Sequence, residues 1–261
     1  MKRVLSVQDL SCVGKCSLTL ALPVVSAMGV SCSVLPTAVL STHTGFPDPY
    51  VRDLTGDIAP VGQHLSSVGA QFDGICVGYL SSPRQAREVG LLADRFPAPL
   101  ILDPAMGDHG RLYSGITGEH VEAVKDLCPR AAVLLPNVTE AAFLTGLSPD
   151  ADPNTLLDAV MALGPKACVL TGVSLQPGMT GFLGADQNGR FSYQTEALPG
   201  AFHGTGDLFA AVLTGALMKE KTLEQSARLA AAFVERCIRN ATPSPFGLSF
   251  EAHLPWLWEQ L

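Results

Sequence analysis

In the stretch "FHGTGDLFAAVLTGAL", residues 202 to 217, two glycines and a threonine stand directly before an acid and an apolar run. Leu208, Phe209, Val212, Leu213, Ala216 and Leu217 recur at helical spacing, which predicts a helix beginning near Thr205 with one buried face. The first turn of a helix leaves backbone N–H groups unpaired and carries the positive end of the helix dipole. A glycine-rich start therefore accepts an anion that no Cβ holds away. Gly204 and Gly206 meet that condition, and Asp207 stands where it could take a proton from an alcohol. Gly, Thr and Asp are also ordinary capping residues, so a helix start without chemistry is the competing reading.

Phosphoryl transfer to an alcohol needs a base near the hydroxyl, donors for the charge on the moving group and a cation on the nucleotide phosphates. Asp207 and the N–H groups of Gly204, Thr205 and Gly206 are candidates for the first two. Asp103 and Asp108 in "DPAMGD", with Asn137 and Glu140 in "PNVTEAAFL", supply hard oxygen ligands suited to magnesium, direct or through water. Each has a plainer role: Asp103-Pro104 can end a strand, and Asn137, Thr139 and Glu140 can start a helix. His43 and His203 read as structural more readily than catalytic. The chain has no G-x-x-x-x-G-K-[ST], which excludes a P-loop enzyme.

The elements that must position these residues alternate. Residues 3–8 read as a strand, and 17–28 as a helix stopping at Gly29. "SCSVLPTAVL", "DGICVGYL", "PLILDP", "AAVLLPN" and "KACVLTG" are short apolar runs separated by helices, among them 83–95, which implies parallel strands buried on both faces. "MTGFLGADQNGRFSYQTE" alternates around Asn188-Gly189, a hairpin signal that adds an antiparallel edge. A long helix covers about Thr222 to Arg239. The expected fold is an α/β doubly wound, mostly parallel sheet forming one domain over 1–261. In such a sheet ligands sit beyond the carboxyl ends of the strands. Those positions carry Gln8 and Asp9; Ser41, His43, Thr44 and Gly45; Gly78 and Tyr79; "DPAMGD"; "PNVTEAAFL"; and Thr171-Gly172.

Seventeen basic against 24 acidic residues give a net charge of −7 without a long run of either sign, which disfavours nucleic-acid and anionic-membrane partners. A hydrophobic content of 47% supports a large core. The start "MKRVLSVQDL" lacks the pattern of a signal peptide, and no apolar stretch reaches the roughly 18 to 20 residues of a membrane span, so a cytoplasmic location is expected. The seven cysteines, Cys12 and Cys16 included, form no C-x-x-C pair and read as buried free thiols rather than zinc ligands.

The set "VQDLSCVGKCSLT", "STHTG", "GYL", "DPAMGD", "PNVTEAAFLTG" and "GTGD" resembles the pyridoxal/pyridoxamine kinases of the ribokinase-like superfamily, over residues 1 to about 240. The resemblance implies a ribokinase-like three-layer fold and transfer of the ATP γ-phosphate to the 5′-hydroxyl of pyridoxal, pyridoxamine or pyridoxine. By position it makes Asp207 the base, Gly204, Thr205 and Gly206 the anion hole, and Asp103 and Asp108 neighbours of metal and nucleotide phosphates. Asn137 and Glu140 match the metal-associated motif and Thr171 a nucleotide contact. Thr44, Tyr79 and Asp9 match the ring pocket. It further implies a homodimer, magnesium and a monovalent cation such as potassium. Asp9 stands where many relatives have Ser, and Leu135 where a threonine often precedes Pro-Asn. The neighbouring hydroxymethylpyrimidine kinases, which typically carry Cys at the position of Asp207, and a noncatalytic B6-binding protein are the alternatives.

Overall fold

Strands rich in Val, Ile and Leu and too short to alternate with polar residues can be stable only between two helical layers. The computed structural model, which describes residues 1–200, 202–242 and 244–261, shows that arrangement. The strands are β1 (Arg3–Val13), β2 (Ser31–Thr42), β3 (Val51–Asp53), β4 (Gly74–Val77), β5 (Leu100–Leu102), β6 (Gly107–Asp108), β7 (Arg111–Leu112), β8 (Ala131–Leu134), β9 (Cys168–Val173), β10 (Met179–Asp186) and β11 (Gly189–Glu196). The helices are α1 (Ser17–Ala27), α2 (Thr55–Ser67), α3 (Pro83–Arg95), α4 (Gly118–Lys125), α5 (Val138–Thr145), α6 (Pro153–Met161), α7 (Thr205–Met218), α8 (Leu223–Arg239) and α9 (Leu254–Glu259). Nine strands join in the order β11-β10-β9-β8-β5-β4-β1-β2-β3. From β2 to β9 every neighbouring pair is parallel.

Alternation along each strand sends side chains to two cores. Leu5 and Val7 of β1 pack with Ile58, Val89, Leu92, Val121, Leu144 and Leu156 from α2 to α6. Val4 faces the other way, with Leu20 and Val24 of α1, Leu208 to Leu213 of α7, Phe233 of α8 and Leu257 of α9. The three-layer, mostly parallel sheet and the edge hairpin at Asn188-Gly189 are as expected, Gly189 having φ +125°. Helices 83–95 and 205 onward also stand where spacing puts them.

Three elements depart from expectation. β1 runs on to Val13 because its backbone stays paired with β2 as far as Val13 opposite Thr42, although its side chains turn polar at Gln8. Asp9 therefore lies inside the strand, at a register shift between Gln8 and Leu10, and not beyond its end. The three-residue β3 makes the other edge antiparallel as well. The small hairpin β6–β7 follows "DPAM". Both are too short to show a period of two.

Candidate active site

The residue that opens α7 is fixed by space. Gly204 has φ +87°, and a Cβ there would lie 2.2 Å from the Lys15 carbonyl oxygen, so only glycine fits. At Gly206 a Cβ would meet nothing within 4 Å, which leaves the first turn of α7 open to a ligand. Thr205 donates its hydroxyl to the Phe202 carbonyl at 3.4 Å. Asp207, in that same turn, is half-buried, and its carboxyl is pushed up to about 7. Loss of water is the main cause, the Ser17 N–H turned toward it opposes the shift, and the charge of Asp9 adds to it.

Asp9 is buried, and it accepts hydrogen bonds from the Ser17 hydroxyl at 2.5 Å and the Ser11 hydroxyl at 3.2 Å. Burial raises its pKa against the pull of those two donors. A bulge re-aims the side chain of a strand residue, and the register shift at Asp9 has that place here. Tyr79, half-buried just after β4, has its phenol raised by burial and then by Asp9. The Cys16 thiol, capping α1, is pushed up to about 12 by burial, then by Asp207 and Asp9. It stays protonated. Asp9, Asp207, Tyr79 and Cys16 therefore share one electrostatic neighbourhood. Thr44 is exposed on the loop after β2.

The second group of acids gathers at the N-terminus of α5. Asn137 caps that helix, its side chain accepting from the Glu140 N–H at 2.9 Å. Glu140 returns the bond, Oε2 accepting from the Asn137 N–H at 2.8 Å, while Oε1 accepts from the Met106 N–H at 3.0 Å. Asn137 Nδ2 donates to the Gly107 carbonyl at 2.8 Å, and the Thr139 hydroxyl accepts from the Gly110 N–H at 2.9 Å. The first turn of α5 thus clasps the β6–β7 hairpin, which carries Asp108 on its exposed side. Asp103 is buried after β5, and its carboxyl is raised well above the carboxylate range by burial, then by the charges of Glu140 and Asp207. Glu140 is pushed up to about 7, again chiefly by burial. Thr171 of β9 bridges to Asn137 and donates to the Pro136 carbonyl at 3.4 Å.

The structure brings Asp9, Tyr79 and Asp207 together, joins Asp103 to both Asp207 and Glu140, and leaves Thr44 and Asp108 at the surface. His43 packs against Phe46 and His203, with ring centroids 4.9 and 5.1 Å apart. Its Nδ1 accepts from Gly45 N–H and its Nε2 donates to the Pro245 carbonyl, the structural role expected. Sequence reasoning missed Ser11 and Ser17, and read Thr139 only as part of a helix start. Ser11 stands two residues from Asp9, a spacing too common to single out, and Ser17, eight residues on, carried no signal at all. The thiols also differ: Cys76, Cys128, Cys168 and Cys237 are buried, but Cys12 is exposed and Cys16 and Cys32 are half-buried. Cys12 stands on β1 past Asp9, where the strand emerges from the core.

Comparison with known proteins gives the family and the fold. Residues 25–248 match the family described as phosphomethylpyrimidine kinase. A pyridoxine/pyridoxal/pyridoxamine kinase of Bordetella avium is 30% identical over 90% of this chain and 84% of its own. The chain belongs to the pyridoxal kinase family. Among solved structures, the pyridoxal kinase of Lactobacillus plantarum superposes with a TM-score of 0.92 at 32% identity, covering 99% of this chain and 97% of that one. A Bacteroides thetaiotaomicron protein, provisionally assigned as a phosphomethylpyrimidine kinase and solved in a form with pyridoxal, also has a TM-score of 0.92 and 32% identity, covering 98% and 95%. The ribokinase-like expectation for the fold is therefore met. Among the described residues no helix is long and apolar enough to cross a membrane.

Proposed function

We propose that this kinase transfers the γ-phosphoryl group of ATP to the 5′-hydroxyl of a vitamin B6 vitamer: pyridoxal, pyridoxamine or pyridoxine. The observation that carries the reading is Asp207, a carboxyl with a pKa of about 7 in the first turn of α7, next to the unobstructed Gly206. In this reading Asp207 accepts the alcohol proton as the oxygen attacks phosphorus. The N–H groups of Gly204, Thr205 and Gly206 face the charge on the equatorial phosphoryl oxygens, and the helix dipole adds to them. Tyr79, Thr44 and Asp9 surround the pyridine ring, and Thr171 contacts the nucleotide.

The α5 acids fit magnesium only through water. Both oxygens of Glu140 are taken by backbone N–H groups, while Asp103 Oδ2 accepts no hydrogen bond from the described residues. Among those residues no cluster of three His, Cys, Asp or Glu side chains converges. Magnesium keeps several waters and binds through one or two carboxylates, which suits Asp103 with Asp108, Asn137 and Glu140 behind. When bound, the ion supplies neutralisation of phosphate charge. A monovalent cation such as potassium, a homodimer and a cytoplasmic location complete the reading.

The test is turnover of the three vitamers and of hydroxymethylpyrimidine with ATP and magnesium, read as ADP release. The match to phosphomethylpyrimidine kinases makes hydroxymethylpyrimidine the competing substrate. A higher kcat/KM for it than for all three vitamers overturns the B6 assignment, and binding of vitamers without ADP release overturns catalysis.

A further inference from the structure

We infer that Ser17 is a positioning residue that holds Asp9 in place for the vitamer ring and links it to Asp207. The inference rests on the B6 kinase reading and goes beyond it, to a residue with no functional signal in the sequence. Ser17 is the first residue of α1, and its φ of +46° lies in the left-handed region, where a non-glycine residue is strained. Strain of this kind persists only where surrounding structure imposes it, and it gathers at functional sites. Here its consequence is visible. The conformation turns the Ser17 N–H toward Asp207 and its hydroxyl onto Asp9 at 2.5 Å, and the side chain is buried between the two acids.

A carboxylate with water removed needs donors to stay charged and aimed. Ser11 and Ser17 are the two hydroxyls bonded to Asp9, one on each carboxylate oxygen. The bond from Ser11 comes from two residues along the same strand, whereas Ser17 reaches Asp9 from a different element. Ser17 is thus the tie between β1, which carries Asp9, and the α1–α7 contact, which carries Asp207. The titratable groups facing Asp9 are Asp207 from α7, Cys16 from the α1 cap, His43 after β2 and Tyr79 after β4. None of these four donates a hydrogen bond to Asp9, which leaves the two serines as its side-chain donors among the described residues.

Two variants separate the hydroxyl from the strain. Ser17→Ala deletes the hydroxyl and keeps the strained backbone; Ser17→Gly deletes it and relieves the strain. Each is measured alone and with Asp9→Asn, by vitamer kinetics and thermal melting. Both single variants should raise the vitamer KM about tenfold with little change in kcat, the size of effect for one hydrogen bond to a charged group. Ser17→Gly should melt no lower than wild type. In the Asp9→Asn background either change should alter KM less than about twofold, because the hydroxyl then has no carboxylate to hold. A Ser17→Gly enzyme with wild-type KM overturns the inference, as does a full tenfold effect that persists with Asp9→Asn. Carboxyl carbon NMR of the free protein gives a readout independent of any substrate. The Asp9 titration should move to higher pH in Ser17→Ala, since the lost donor favours the charged form, and an unmoved titration overturns the inference. A wild-type chain that turns over no vitamer would instead refute the function, and the NMR titration would still decide the role of Ser17.

Discussion

A base that takes a proton from an alcohol near neutral pH works best with a pKa near 7, and burial brings the Asp207 carboxyl to about that value. Two outcomes follow from the same shift. Below pH 7 the base is protonated, so kcat/KM should fall about tenfold for each pH unit, measured at saturating ATP and magnesium. Asp207→Asn keeps a capping residue and loses the acceptor, so kcat should drop by about 10² to 10⁴ in a folded protein. The stability effect has a definite sign. Between the ordinary value of 3.8 and about 7 the folded state holds a proton that the unfolded chain releases. Stability contributed by Asp207 therefore falls as pH rises through that window, and it stays lost above it. Asp207→Asn should accordingly melt higher than wild type at pH 8, with the gain shrinking by pH 4. A variant with near wild-type kcat, or one less stable than wild type at pH 8, would remove Asp207 from the role of a base with a raised pKa.

At the scale of elements, the two glycines that open α7 have opposite physical roles, and this can be checked. Gly204→Ala puts a Cβ against the Lys15 carbonyl at φ +87°, which should cost about 1–3 kcal/mol in denaturant unfolding. Gly206→Ala adds a methyl in open space on a helix, so stability should hold or rise by up to about 1 kcal/mol while kcat falls, because the methyl covers the anion face. Equal loss of stability in both would show the tetrapeptide to be a helix start alone. Both glycines stand out in the sequence without this distinction, since the Lys15 loop that crowds one of them comes from the other end of the chain. The same limit applies to α5. Asn137 and Glu140 were legible as a capping pair or as metal-associated residues, but not as a clasp on β6–β7, because that hairpin is two residues per strand and carries no pattern of its own. Glu140→Gln leaves one acceptor where two backbone N–H groups need one each. It should cost about 1–3 kcal/mol, speed hydrogen exchange at Met106 and raise the magnesium concentration needed for half-maximal activity. An unchanged magnesium titration would confine Glu140 to the clasp.

On the scale of the whole molecule, strands buried on both faces and strongly periodic helices were readable, because burial writes itself into apolar spacing. What was not readable is how the chain ends close over its beginning. The segment after α8 returns to the N-terminal loop: the Lys15 N–H donates to the Phe246 carbonyl at 2.8 Å, Leu248 N–H to the His203 carbonyl at 3.1 Å, and Lys15 Nζ pairs with Glu251 at 2.7 Å. These contacts hold the Lys15 carbonyl against Gly204, beside the first turn of α7 where the anion hole is proposed. Their strength does not come from the ion pair, which is partly exposed and worth at most about 1 kcal/mol. It comes from Leu248, Phe250 and Leu257, all buried in the core that α1, α7 and α8 share. Phe250→Ala should therefore lower unfolding stability by about 3–5 kcal/mol, the usual cost of emptying a buried phenylalanine site, and Lys15→Ala by less than about 1 kcal/mol. In rising urea, the variant's activity should vanish before its far-ultraviolet helix signal, since the segment after α8 anchors the start of α7 more directly than it anchors the sheet. Urea unfolding followed by circular dichroism and by ATP turnover compares the two; a Phe250→Ala protein within about 1 kcal/mol of wild type, or one losing both signals together, would show that the C-terminal segment covers the site without holding it.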